Sequence, residues 1–295
     1  MNVTHTIVEP AQLLAFLFAA HVATKKTTVR QWLKHGAVSV NGKPTTRFDH
    51  PLRPGDVVAI GSSGEARSRR RLPAGMAIRF EDDALIVIEK PAGLLSMATD
   101  GERDKTAQAY LTSYVRGDDR RSRARTWVVH RLDRATSGLM VFAKSEEVMH
   151  ALKANWRSAD KRYLAVVEGR LPDDRGTFES HLDESSPVKV KSTPPSKRTR
   201  HAVTHYQVVR TAADGADLDC SLVELRLETG RRNQIRVHLA DAGCPVVGDK
   251  TYGAKTDPAG RLALHAAHLE FQHPATGERL QFESPLPNKL ARLVK

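Results

Sequence analysis

One carboxylate, Asp133, sits in a stretch dense in groups able to do chemistry, His130-Arg131-Leu132-Asp133-Arg134. Cationic neighbours favour the ionised form of an acid, so Asp133 is expected to be a carboxylate at neutral pH. By chemistry alone, an Asp among arginines reads as a surface ion pair or a helix cap. The residues that follow say more about its setting. Thr136-Ser137-Gly138 is turn chemistry, and Leu139 to Ala143 is an apolar run of the kind that fills a buried strand. The acid therefore stands just ahead of a turn that feeds the core.

Two other residues stand out by type and place. Tyr163 lies in the strand-like run Lys161 to Glu168, where a Tyr is ordinarily a half-buried packing residue. Arg236 lies in a segment running from Leu227 through Thr229-Gly230-Arg231-Arg232-Asn233-Gln234-Ile235 into a helix closed by Gly243. Alone it reads as a phosphate contact or a helix surface charge. Upstream, Leu85 to Ile88 is a buried strand that ends in the turn Lys90-Pro91-Ala92-Gly93.

The exact strings decide between these readings. His130-Arg131-Leu132-Asp133, two residues, then Thr136-Ser137-Gly138-Leu139 resembles the signature of the RluA-type pseudouridine synthases. The Lys-Pro-x-Gly turn, the Lys-x-Tyr-x-Ala strand around Tyr163 and the Thr-Gly-Arg segment ending at Arg236 match the same family. So do Gly248-Asp249 through Tyr252-Gly253, a family-like turn, and Leu264-His265-Ala266, which resembles a segment bordering its active site. The resemblance covers the chain from about Met76 to the C-terminus.

In that family the Asp is the catalytic residue, so the resemblance implies Asp133 in that role. It implies Tyr163 lying against the target uracil and Arg236 paired with Asp133. Arg131 is expected to fill the space the base vacates or to hold the strand. The implied fold is α+β, a pseudouridine synthase catalytic domain with a mixed, mainly antiparallel sheet. Uracil is detached, turned and rejoined through a ring carbon; nothing is oxidised or added, so no cofactor is required. Asn233 stands where the family usually has His, and Ala135 where an acidic residue is common. These departures bear on substrate selection and leave the chemistry intact.

Residues 1–62 read as a separate small α/β module. Leu13, Leu14, Leu17 and Phe18 share a helix face, and Thr27 or Thr28 can cap a second helix that Gly36 ends. Val38 and Val40 alternate into the hairpin signal Asn41-Gly42, and Pro54-Gly55-Asp56 turns into Val57 to Ile60. The pattern resembles the small RNA-binding domain first known from a ribosomal small-subunit protein. Lys25, Lys26, Arg30, Lys34 and Arg47 would present a basic face to phosphates. Residues 63–75 form a basic, flexible linker, and 76–295 the catalytic domain.

Composition agrees. The 295 residues carry 46 Lys+Arg against 34 Asp+Glu, a net charge of +12, which points to a polyanionic partner. No window approaches the roughly 18 apolar residues of a membrane span, and a signal peptide is not evident. The two cysteines suit a reducing compartment and offer no metal site, so a cytoplasmic location is expected. The expected partner is RNA, ribosomal RNA of the large subunit first and transfer RNA second, with a monomer as the family-like default. The competing class is a non-catalytic ribosome-assembly factor, which charge and the N-terminal module fit equally well. Intact Asp133, Tyr163 and Arg236 weigh against it.

Overall fold

Short alternating apolar segments between turn residues build the first part of the chain. The structure is a computed structural model and describes residues 3–22, 24, 26–34, 37–60, 72–117, 122–213 and 218–294. The chain divides into two compact units, Met1–Pro73 with Ser113–Arg123, and Ala74–Thr112 with Ala124–Lys295.

The first unit contains strands β1 (Val3–Thr6), β2 (Ala11–Gln12), β3 (Val38–Val40), β4 (Lys43–Pro44), β5 (Pro51–Leu52) and β6 (Val57–Ile60), with helices α1 (Leu13–Ala20) and α2 (Lys26–Lys34). β1, β6, β3 and β4 form an antiparallel sheet in that order, and β2 pairs with β5. Asn41 and Gly42 both take positive φ, 50° and 74°, which a tight two-residue hairpin demands and which Asn and Gly supply most cheaply. Leu13 and Leu17 of α1 and Val29 and Leu33 of α2 meet Val38, Val40, Val58 and Ile60 in one core. Helix α2 begins at Lys26, so Thr27 and Thr28 lie within its first turn and do not cap it. The expected stop at Gly36 lies outside the described residues, as does the run 63–71 of the expected linker.

The next elements are β7 (Ala77–Glu81), β8 (Leu85–Lys90), α3 (Ala107–Arg116), β9 (Trp127–Val128), β10 (Ser137–Ala143), α4 (Glu146–Ala154) and β11 (Asp160–Glu168). They are followed by β12 (Arg175–Asp183), β13 (Lys191–Thr193), β14 (Thr199–Thr211), β15 (Cys220–Leu227), α5 (Gln234–Asp241), β16 (Leu264–Gln272), β17 (Arg279–Glu283) and α6 (Asn288–Ala291). One large sheet runs β13-β12-β14-β15-β11-β16-β10-β8-β7, with β17 beside β16 and β9 beside β10. Among the described strands, β10 and β16 are the parallel pair and every other pairing is antiparallel, so the sheet is mixed and mainly antiparallel.

The apolar run after Asp133 is the buried strand its composition implies: every residue of β10 is buried. Leu139, Val141 and Ala143 pack against Leu85 and Val87 of β8, Met149 and Leu152 of α4, and Leu269 and Phe271 of β16. Ser145 caps α4 by accepting the Val148 N–H. Fully burying one such leucine or valine contributes about 1.5–3 kcal/mol, so this cluster is what anchors the loop preceding β10.

The register places four residues in one row. Gly138 of β10 is opposite Lys90 of β8 and Ala266 of β16, and Ala266 is opposite Tyr163 of β11. Directly paired residues share a sheet face, so Lys90 and Tyr163 stand at the ends of a row whose middle is small. A β-bulge helps to aim Tyr163: Arg162 pairs with His268, but Tyr163 pairs with Ala266, and Ala267 is skipped.

Gly138 is the residue this row cannot exchange. Its φ is +118°, and a Cβ there would lie 2.2 Å from the Ala266 carbonyl oxygen. Gly138→Ala should therefore lower stability by about 3 kcal/mol or more, from backbone strain plus overpacking, seen as a lower urea midpoint. An unchanged midpoint would mean that the two strands part at no cost.

Candidate active site

Asp133 lies in the segment that leads into β10, and its neighbours in sequence are pinned on both sides. Leu132 is buried; its N–H donates to Ser96 Oγ (3.1 Å) while the Ser96 hydroxyl donates to its carbonyl (2.7 Å). The Arg134 carbonyl accepts from Gly93 N–H at 2.7 Å, and Arg134 Nε donates to the Gly93 carbonyl at 3.0 Å. The Thr136 N–H closes the turn onto the Asp133 carbonyl at 3.1 Å.

Lys90 ties these contacts together. It is fully buried, and its ammonium donates to the carbonyls of Pro91 (2.9 Å), Leu94 (2.8 Å) and Arg134 (3.4 Å). The Lys90-Pro91-Ala92-Gly93 turn is thus the clamp that sets where Asp133 stands. Burial pulls the Lys90 amine down to about 7, although the Asp133 charge opposes that and Arg261 adds to it.

Arg236 enters from the first turn of α5. Its fork is spent on another acid: Nε donates to Asp249 Oδ2 at 2.6 Å and Nη2 to Asp249 Oδ1 at 2.7 Å. Nη1 donates to Asn233 Oδ1 at 3.1 Å and stands 3.7 Å from Asp133 Oδ2, within ion-pair range but beyond a hydrogen bond. The Tyr252 ring lies 4.8 Å from the guanidinium carbon, and the Asn233 amide nitrogen donates to the Tyr252 hydroxyl at 3.1 Å. Asn233 occupies the left-handed region, φ 54°, where Asn is among the best-tolerated side-chain-bearing residues. Its amide serves two partners at once, which gives the replacement of the family's usual His a physical content.

Burial pushes the Asp133 carboxyl above its ordinary range; Arg236 and Arg131 pull it back, and the Asp249 charge pushes it up again. The expectation of an acid held ionised by a ring of cations thus needs correction on one neighbour. His130 is turned into the core, stacked on Trp156 at 4.6 Å and accepting the Val141 N–H on Nε2. Burial, with Lys161 nearby, drives its imidazole down to about 3, so it is neutral and gives Asp133 no charge. Tyr163 is buried, and its phenol is pushed up by burial and by the Asp133 carboxylate facing it.

The structure therefore brings Asp133, Tyr163 and Arg236 together, with Arg131 exposed beside the acid. In the first unit, Lys26 and Arg30 are exposed and lie 5.7 and 5.6 Å from the Phe18 ring. Lys34 is the last residue of α2, Lys25 lies outside the described residues, and Arg47 is engaged by Asp49. Asp249, Asn233 and Lys90 acquire roles that their motifs did not announce. Gly248-Asp249 and Lys90-Pro91 both read as turns; the hint in each was a charged residue beside turn chemistry.

Similarity to known proteins decides the class of this site. The model of the RNA pseudouridylate synthases matches residues 84–241, and that of the S4 domain matches residues 13–58. The chain belongs to the RNA pseudouridylate synthase family. The uncharacterized RNA pseudouridine synthase YlyB of Bacillus subtilis is 33% identical over 285 residues, covering 95% of this chain and 92% of that protein. A ribosomal large subunit pseudouridine synthase D of Neisseria meningitidis is 33% identical over 284 residues, 91% of this chain and 74% of its own. Among solved structures, human RNA pseudouridylate synthase domain containing 4 aligns with a TM-score of 0.59 at 25% identity, over 78% of this chain and 95% of that one. The reaction of this pseudouridine synthase is an isomerisation of uridine in RNA, and its S4 domain is an RNA-binding module.

The Lys90 clamp makes a pH-dependent contribution that stability measurements can read. Lys90→Met removes donors from three carbonyls of a buried turn and should cost about 1–3 kcal/mol. A lysine with a lowered folded value is a burden while protonated, and that burden lifts as pH rises from about 7 towards the ordinary 10.5. The wild type should therefore gain on Lys90→Met between about pH 6.5 and about pH 9.5 in urea denaturation. A gap that stays level or narrows over that range would show that the ammonium carries no desolvation cost.

Proposed function

We propose that this enzyme converts uridines of large-subunit ribosomal RNA to pseudouridine, with Asp133 as the catalytic carboxylate. The observation that carries the reading is the convergence of Asp133, Tyr163 and Arg236 beside the central strands β11, β16 and β10, with Asp133 the acid that keeps a partly open side chain, 23% exposed against 1% for Asp249. The names of the relatives from Neisseria and other bacteria, ribosomal large subunit pseudouridine synthase D, favour the substrate. The S4 domain, residues 1–62 by the sequence boundaries, is assigned the recognition of RNA through Lys25, Lys26, Arg30 and Lys34. A monomer acting in the cytoplasm completes the reading.

In the reaction the bond between uracil N1 and ribose C1′ breaks, the base turns, and a bond forms between C5 and C1′. The proton on C5 leaves and N1 takes one up, so the balance requires no oxidant. Asp133 supplies the negative charge at the sugar–base bond, Tyr163 a flat wall for the loosened uracil, and Arg236 the positive field that keeps Asp133 ionised despite burial. Reaching this site takes the base out of its stack at about a few kcal/mol. Arg131 beside Asp133 and the exposed Arg123 and Arg125 would offset that cost through phosphate contacts, so binding should weaken steeply with salt.

Because C5 loses its hydrogen, RNA labelled with tritium at uracil C5 reports turnover directly. Asp133→Asn should cut tritium release at least a thousandfold, about 4 kcal/mol of barrier, while RNA affinity stays within a few-fold. Tyr163→Phe should lower rate more than affinity. Fragments of large-subunit rRNA should release tritium and unmodified tRNA should not. Wild-type rates from Asp133→Asn would remove this residue from the chemistry, and turnover confined to tRNA would redirect the substrate.

A further inference from the structure

We propose that Asp249 is a positioning residue of the reaction: by holding the fork of Arg236, it keeps Asp133 in an ion pair too long to block its oxygens. The inference rests on the reading of Asp133 as the catalytic carboxylate.

Asp249 is buried, with a side chain 1% exposed, and both of its oxygens are taken by Arg236 in the parallel, charge-assisted geometry that is strongest for this pair. Its own backbone is held in place. The Asp249 N–H donates to the Val246 carbonyl, and its carbonyl accepts from Tyr252 and Ala254. Gly248 before it takes φ +81°, and a Cβ there would come within 2.4 Å of the Arg261 carbonyl oxygen. Opposite, Asn233 Oδ1 takes Nη1, the Tyr252 ring covers a face, and the Tyr252 hydroxyl is itself fixed by the Val190 N–H and the Asn233 amide. Arg236 is thus held at its edges and one face by groups that the reaction does not consume.

What reaches Asp133 is a fixed positive charge 3.7 Å away. Two acids compete for one guanidinium, and the fork goes to the one that does not meet substrate. Freed of Asp249, Arg236 could turn its fork onto Asp133, which would then be more acidic and have its lone pairs occupied. With Asp249 charged, Asp133 keeps its oxygens open and its affinity for a proton is higher. The other groups facing Asp133 are Arg131 of its own segment, Lys90 at the end of β8 and Tyr163 on β11. None of these offers it a second negative charge at neutral pH.

The test is the pH–rate profile of Asp249→Asn under single turnover, since its acid limb reports the carboxylate that must be ionised. Removal of the neighbouring negative charge should move that limb to lower pH by about one unit and reduce the plateau at least tenfold, with RNA affinity within about twofold. Asp249→Glu should keep the limb in place and restore part of the plateau. A lower plateau with an unmoved limb would mean that Asp249 is only structural, and would overturn the inference. Should Asp249→Asn fail to fold, carboxyl NMR titration of the wild-type protein decides instead. Asp133 should titrate above the ordinary 3.8, and Asp133 titrating below 3.8 would overturn the inference. An active Asp133→Asn would fail the underlying reading; an inactive one beside an unmoved limb would fail this inference alone.

Discussion

The carboxylate proposed to act at the sugar–base bond must be charged to do so, and Asp133 is three-quarters withdrawn from water. Burial opposes its charge, so the site must bring positive charge close without letting it collapse onto the acid. Arg236 meets this because its fork belongs to Asp249. Lys90 meets it because its ammonium is engaged by three carbonyls of the clamp it forms. Arg131 stays in solvent. Arg236 and Lys90 are thus each held by other partners, and that keeps the acid available.

The sheet supplies the room. Lys90, Gly138, Ala266 and Tyr163 form one row across four strands, about 4.8 Å apart, and the two middle residues are the smallest in it. Parallel pairing of β10 with β16 brings the strand that follows Asp133 against the strand beside Tyr163. Packing of β10 between β8, α4 and β16 then turns a short loop into a fixed platform. The proposed site residues stand on a loop, within a strand and in the first turn of a helix, and the buried strands keep them from drifting.

Much of this was legible in the chain. The apolar run Leu139 to Ala143 and the Asn41-Gly42 hairpin are local patterns, and local patterns survive folding. Asp133, Tyr163 and Arg236 were legible through strings long enough to identify a family. Partnership was harder. His130 lies three residues from Asp133 in sequence, yet the core claims it through Trp156 and the Val141 amide. Asp249 lies over a hundred residues from Asp133, in a Gly-Asp pair that turn chemistry already explains, and tertiary packing alone makes it the main acceptor of Arg236. Spacing in sequence reveals side chains on one helix or strand face; it says little about which of two acids an arginine from a distant helix will choose.

The most direct test of the account is a map of pseudouridine in total RNA from cells lacking this gene, by carbodiimide labelling and primer extension. The account predicts discrete sites lost from large-subunit rRNA, restored by the wild-type gene and not by one encoding Asp133→Asn. No lost site in any RNA, or restoration by the Asp133→Asn gene, would contradict it.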